Sequence, residues 1–108
     1  MTPSDAAAVY RGWRARAEAA VAAVASTGSK RPAALYGPDA GDDVPLHVVR
    51  AEGCRITTVA GETLVDLGSA LGAVALGYAD AAVVARVHAA ALAGKVSRLA
   101  HADEVTFA

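Results

Sequence analysis

A chain of 108 residues with 55% hydrophobic but only 5% aromatic residues is long enough for one small domain, and its alanine bias makes the expected core shallow. A net charge of −1 provides no clustered basic surface, so neither nucleic acid nor an acidic membrane surface is an expected partner. Cys54 is the single cysteine, which rules out an internal disulfide and fits a reducing, cytoplasmic setting.

Residues 1–28 read as an amphipathic helix. Ser4 or Asp5 can cap it, Val9, Trp13, Ala17, Val21 and Val24 recur at three- and four-residue steps, and Gly28 is placed to stop it. Arg11, Arg14 and Glu18 fall largely on the other side. Trp13 at core spacing reads as ordinary helix packing, with an anchor on a partner subunit as the functional alternative. The basic start followed by an Ala/Val run imitates a signal peptide, but Glu18 interrupts a short, alanine-rich stretch. Secretion is therefore not expected.

Residues 29–45 read as an extended arm. Pro32, Pro38, Pro45, Gly37 and Gly41, with the acidic pair Asp42-Asp43, exclude a long helix or a central strand there. An arm of this length is uncommon inside one compact domain, so the first helix is expected to pack on something outside the chain.

Residues 46–108 carry the densest signals. A strand over Leu46–Ala51 turns at Glu52-Gly53, and the alternating segments Cys54–Thr58 and Thr63–Leu67 flank Ala60-Gly61 at the spacing of a tight hairpin. The result is a three-stranded antiparallel meander, too small to stand without a covering layer. Gly68, Gly72 and Gly77 then mark a loop whose backbone can approach a ligand or another chain closely. The stretch from Leu67 to Ala85 attracts a hydropathy window, yet it holds Asp80 and is mostly Gly and Ala, so no membrane span is expected. Asp80 is a good cap for a helix bearing Val83, Val84, Val87, Ala91 and Leu92, with Gly94 to end it, and this helix is the predicted cover for the meander. Lys95–Ala100 reads as a connector. Asp103-Glu104-Val105 begins a last helix that stops at Ala108 before two turns, so the chain is expected to be incomplete.

The search for chemistry within the chain returns little. The glycine loop lacks the lysine and Ser/Thr of a P-loop, and no G-x-G-x-x-G opens a helix. His47, His88 and His101 have no paired spacing, so no metal site is expected. Cys54, inside a predicted strand, reads as a small buried thiol, and Ser69 lacks the elbow of a serine nucleophile. His101, Asp103 and Glu104 are explained by helix capping. Taken from the residues alone, the chain is a small α+β piece.

The order and spacing of Arg50-Ala51-Glu52-Gly53-Cys54, Gly61, Leu64-Val65-Asp66-Leu67, Gly72, Leu76-Gly77-Tyr78-Ala79 and Val83-Val84 resemble the N-terminal part of class III pyridoxal-phosphate aminotransferases, in the glutamate-1-semialdehyde aminomutase-like branch. That pattern has an R-G-E-G-type turn, a D-x-x-G hairpin, a Y-x-D strand, a glycine loop and a G-H-x-x-P helix start. The segment His101–Ala108 also resembles the family's lead into its next helix. The chain departs from the pattern at Thr58, Leu64, Tyr78 and Ala81, where aspartate, tyrosine, histidine and proline are usual.

The resemblance implies a fold-type I enzyme of α+β small-domain architecture. It also implies pyridoxal 5'-phosphate as cofactor, a homodimer, and transfer of an amino group between small amino and carbonyl compounds. Gly68, Ser69, Ala70 and Leu71 would match the loop that nears the substrate side of the cofactor by the subunit boundary. Such chemistry needs a lysine that holds the cofactor, an acid for the pyridine nitrogen and a phosphate cup, which in the family come later than Ala108. Neither Lys30, in the arm, nor Lys95, after a helix stop, reads as desolvated, so no catalytic or cofactor-binding residue is assigned in this chain. The alternative is a non-enzymatic small interaction protein, docking through its Trp13 face and meander, or a gene remnant.

Overall fold

The computed structural model describes residues 2–94 and 99–108. Helix α1 spans Pro3–Ala20. Its cap is Thr2, two residues ahead of the expected Ser4. Thr2 wins because Asp5 stands at the third helical position: the Thr2 hydroxyl accepts from Asp5 N at 3.3 Å, the Asp5 carboxylate accepts from Thr2 N at 2.9 Å, and Pro3 needs no partner at the first position. The helix also ends early. Val21 is extended, so Val21 and Val24 lie beyond the helix, and the chain turns through a 3₁₀ segment, Ala22–Val24.

The buried stripe of α1 is Ala6, Tyr10 and Ala17, and Trp13 sits on its rim at 36% exposure. There the Trp13 ring lies 5.9 Å from that of His47, with the Arg16 guanidinium 3.9 Å over its face. Trp13 thus packs within the chain, and Tyr10 carries the core contact.

The arm contains two short pieces of order, a 3₁₀ turn at Gly28–Lys30 and a single helical turn, α2, at Pro32–Tyr36. Tyr36 folds the arm back by donating its hydroxyl to the Pro45 carbonyl at 2.5 Å.

Three strands follow in the order β1 (Val48–Glu52), β2 (Arg55–Thr58) and β3 (Thr63–Val65), all antiparallel and forming an open sheet. Together with four α-helices among the described residues they make an α+β chain. Gly53, at φ 56°, and Cys54 form the first turn, with Glu52 opposite Arg55. The sequence reading placed Cys54 in a strand as a buried thiol; it is exposed at this turn. The second turn is one residue longer than a two-residue hairpin. Gly61 N donates to Thr58 O, Thr58 N donates to Glu62 O, both at 2.9 Å, and Gly61 takes φ 83°, the three-residue loop closed by a left-handed glycine. β3 stops at Val65 because Asp66 turns its side chain to the following loop.

Helix α3 spans Ala81–Leu92, and Asp80 caps it by accepting from Val83 N at 3.0 Å, as predicted. Gly94, at φ 67°, follows the end. Its expected role as cover for the meander does not hold. The α3 backbone approaches no strand, none of its residues is buried, and Val87 and Leu92 are 62% and 78% exposed. The physical reason lies in the loop before it. Gly53 and Tyr78 exchange two 2.8 Å backbone hydrogen bonds at the first turn of the sheet, so the chain leaves from that end and α3 projects past it.

Helix α1 covers the opposite end instead. Ala6 and Tyr10 pack with Ala60, flanked by Val9 and Val59, while Thr58 is 1% exposed. The expectation that α1 would find its partner only outside the chain is corrected to that extent. Helix α4 spans Ala102–Phe107, capped by His101, whose Nδ1 accepts from Asp103 N at 3.1 Å and whose N–H donates to Glu104 at 2.8 Å. Most of the predicted Lys95–Ala100 connector lies outside the described residues. The radius of gyration is 17.6 Å, against about 13 Å for a compact chain of this size, in line with so small a core.

Candidate functional site

Asp66 organises the loop that the sequence singled out. Its carboxylate accepts from Gly68 N at 2.8 Å, from Ser69 N at 3.2 Å and from the Tyr78 hydroxyl at 2.5 Å. Asp66 N in turn donates to Cys54 O at 2.9 Å, which anchors the start of the loop on the sheet. An aspartate directly after a strand, satisfying amides two and three residues on, is a standard turn device. What the sequence could not disclose is that the third partner comes from twelve residues away.

Between these anchors the backbone winds left-handed. Ser69, Ala70 and Leu71 have φ of 45°, 50° and 60°, and Gly72 follows at 84°. Each non-glycine residue in this region costs about 1–2 kcal/mol, so three in succession need an external hold. The Asp66 and Tyr78 bonds supply one end of it, and the bonds from Gly72 N to Gly68 O at 3.2 Å and Val74 N to Ser69 O at 3.3 Å close the turn itself. Gly77 makes the return path possible. It has φ 88°, and a Cβ there would meet Gly53 Cα and O at 3.0 Å.

The electrostatics follow from the same bonds. The Tyr78 hydroxyl and then the Gly68 amide hold the Asp66 carboxyl below the ordinary aspartate value, so it stays ionised. The Asp66 carboxylate in turn pushes the Tyr78 phenol up, so it stays protonated and keeps donating.

The loop forms one wall of an open cleft of about 350 Å³. Of the four predicted loop residues, Gly68, Ala70 and Leu71 line it, as do Asp66 and Tyr78; Ser69 belongs to the same turn without lining the cleft. Ile56 of β2 forms part of the floor, and the arm closes the far side with Lys30 and Leu35. The arm and the glycine loop, far apart in sequence, thus face one space. Sequence reasoning found the loop and missed Lys30, Ile56 and the Asp66–Tyr78 tie, since none carries a local motif beyond the aspartate turn.

Comparison with known proteins adds one observation. Over 67 residues the chain is 40% identical to the glutamate-1-semialdehyde 2,1-aminomutase of Nitratidesulfovibrio vulgaris strain DP4, and equally to that of the Hildenborough strain. The likeness is to an aminomutase. The aligned part is 62% of this chain and 16% of the relatives, so the chain spans about a sixth of the length of the curated proteins it matches. No protein-family profile matches the chain. No solved structure matches it either. The likeness falls in the branch that the Arg50–Val84 pattern resembles, and it points to an aminomutase- or aminotransferase-like segment.

Pyridoxal phosphate, which that resemblance implies, asks for a desolvated lysine amine, an acidic group and a phosphate cradle. Lys30 is exposed, with Nζ 3.5 Å from the Ser26 hydroxyl. Asp66, the carboxylate of the cleft, is already engaged by Tyr78 and two loop amides. The described residues do not fit the cofactor by themselves, and no step of its chemistry is assigned to them. Among the described residues no group of His, Cys, Asp and Glu side chains is placed to hold a metal ion, and no helix is long and apolar enough to cross a membrane.

Proposed function

We propose that this chain is the N-terminal segment of a class III, fold-type I pyridoxal-phosphate aminotransferase or aminomutase, a cytoplasmic homodimer that moves an amino group between small amino and carbonyl compounds. The observation that carries the reading is the 40% identity over 67 residues to glutamate-1-semialdehyde 2,1-aminomutases. In such an enzyme residues 1–28 and 29–45 act as a wrapping helix and arm, and residues 46–108 as the first part of the small domain.

The chain's own part is positioning. Gly68, Ala70 and Leu71 form a wall on the substrate side, with Ser69 in the same left-handed turn held by Asp66 and Tyr78, while the groups that bind and activate the cofactor lie in other parts of the enzyme. Two features support this. The loop is shaped by backbone strain and glycine, as walls that approach a ligand are. Leu67, Leu71 and Leu76 are 92%, 86% and 73% exposed, an apolar surface of the kind that a larger body covers.

The test is the intact mass of the protein in its source cells, detected with an antibody raised against the Ser26–Pro45 arm. A species several times heavier than 10.8 kDa that retains pyridoxal phosphate on purification is the expected result. A native species of 10.8 kDa that folds cooperatively, self-associates and ignores the cofactor would overturn the reading in favour of a small interaction protein.

A further inference from the structure

The three-stranded sheet is open, so β1 and β3 are both edges. An edge strand offers a row of unmet N–H and C=O groups to any chain that can lie beside it, and folded proteins blunt such edges with charge, proline, bulges or a covering segment. β1 is blunted in this way: a bulge breaks its register between Val48 and Arg50, it carries Arg50 and Glu52, and Gly53 just beyond it pairs with Tyr78. β3 is not. Thr63-Leu64-Val65 is regular against β2, without charge or proline, and Val65 is 58% exposed.

The ladder fixes which groups of β3 are open. Thr58 N donates to Glu62 O and Asp66 N to Cys54 O, so Glu62, Leu64 and Asp66 turn their peptide groups toward β2, while Thr63 and Val65 turn theirs outward. Among the described residues nothing bonds those outward groups. By the same alternation the side chains of Glu62, Leu64 and Asp66 share one face, an acid on each side of a leucine. Glu62 accepts from Tyr10 and Asp66 from Tyr78, both neutral phenols, so the two negative charges remain.

A second copy of the chain is a poor occupant. The antiparallel pairing that bonds Thr63 and Val65 of one copy to Val65 and Thr63 of the other sets Glu62 opposite Asp66 at both ends, and like charges directly opposite destabilise a ladder. We propose that the β3 edge receives an extended strand of a partner polypeptide with the pattern basic-x-apolar-x-basic, added antiparallel. Its main chain bonds Thr63 and Val65, its apolar residue lies opposite Leu64, and its two cations lie opposite Glu62 and Asp66. No stretch of these 108 residues has that pattern. The proposal rests on the sheet alone and stands apart from the enzymatic reading above.

The test is an NMR titration of the isotope-labelled, intact protein with the peptide acetyl-TKTVTKT-amide. Saturable shifts centred on the Thr63, Leu64 and Val65 amides are expected, and acetyl-TETVTET-amide should bind more weakly by about 5-fold or more. Methylating the amide nitrogens of the two threonines beside the valine removes the donors that face β3, with the protein untouched, and should weaken binding by about 10-fold or more. Methylating the valine nitrogen, which faces away, should leave binding nearly as it was. Val65→Pro removes an outward donor and spares the ladder to β2, and should weaken binding comparably. The proposal is overturned if the shifts never saturate or fall elsewhere, if the glutamate peptide binds as well as the lysine peptide, or if the methylated threonines leave binding unchanged. Shifts at the same amides that follow protein concentration with no peptide present would give the edge to a second copy and overturn it equally.

Discussion

The Tyr78 hydroxyl donates to Asp66 Oδ2 at 2.5 Å and so ties the residue that ends the sheet to the residue that leads into α3. This contact and the Gly53–Tyr78 backbone pair bracket the left-handed turn between them. Tyr78→Phe keeps the ring and removes the donor. It is expected to cost on the order of 1 kcal/mol and to speed amide exchange at Gly68 and Ser69, with the Gly53–Tyr78 backbone pair preserved. Hydrogen exchange that stays unchanged at both amides would mean that the hydroxyl does not hold the loop.

The same pair sets a pH window. The folded carboxyl of Asp66 titrates below its ordinary value of 3.8, so its contribution is complete above 3.8 and disappears as pH falls through the lower folded value. The folded phenol of Tyr78 titrates above its ordinary 10.0, so its contribution is complete below 10.0 and disappears as pH rises through the higher folded value. Loop protection measured by exchange should therefore be flat between these limits and fall at both ends. In Tyr78→Phe the alkaline fall should vanish and the acid fall should move toward 3.8.

Backbone strain gives opposite outcomes at two nearby positions. At Ala70, φ 50°, glycine relieves about 1–2 kcal/mol of left-handed strain and adds back about 0.5–1 kcal/mol of chain entropy, so Ala70→Gly should be neutral to stabilising by about 1 kcal/mol. Gly77→Ala adds a Cβ at φ 88° and 3.0 Å from Gly53 backbone atoms that cannot move without breaking their pair with Tyr78. It should cost at least about 2 kcal/mol. Thermal or denaturant unfolding of the two variants checks the opposite signs.

At the other end of the sheet, the Thr58 hydroxyl is the hub. It lies 2.9 Å from the Tyr10 hydroxyl and accepts from Ala60 N at 3.3 Å and Glu62 N at 3.2 Å, and Tyr10 also donates to Glu62. Thr58→Val keeps the volume and leaves these donors unmet in a buried place, at an expected cost of about 1–3 kcal/mol. The loss should appear as faster exchange at Ala60 and Glu62 and as detachment of α1, followed by Trp13 fluorescence as its ring leaves His47. Unchanged Trp13 emission and exchange in the Thr58→Val protein would show that the apolar contacts alone seat the helix.

Local signals carried much of this chain. Asp80 before an apolar run is a cap wherever the helix later goes, because its bond to Val83 N closes within one turn. The glycines at 53 and 61 likewise marked both turns, since left-handed residues are needed there whatever packs above. The amino-acid order alone therefore determined the start of α3, the antiparallel meander and the position of the glycine loop, whereas the early end of α1 and the helical turn α2 in the arm carried no signal of their own. Only the tertiary structure decided which faces meet. Tyr10 rather than Trp13 became the core residue of α1, because Thr58 and Glu62 offer its hydroxyl partners from the far side of a hairpin turn. The apolar face of α3 was left open, because Gly53 and Tyr78 pair and lead that helix away from the sheet. Asp66 met Tyr78 through a chain closure that no local pattern records: a contact across many residues depends on the path of the backbone between them, and that path is set by the whole fold.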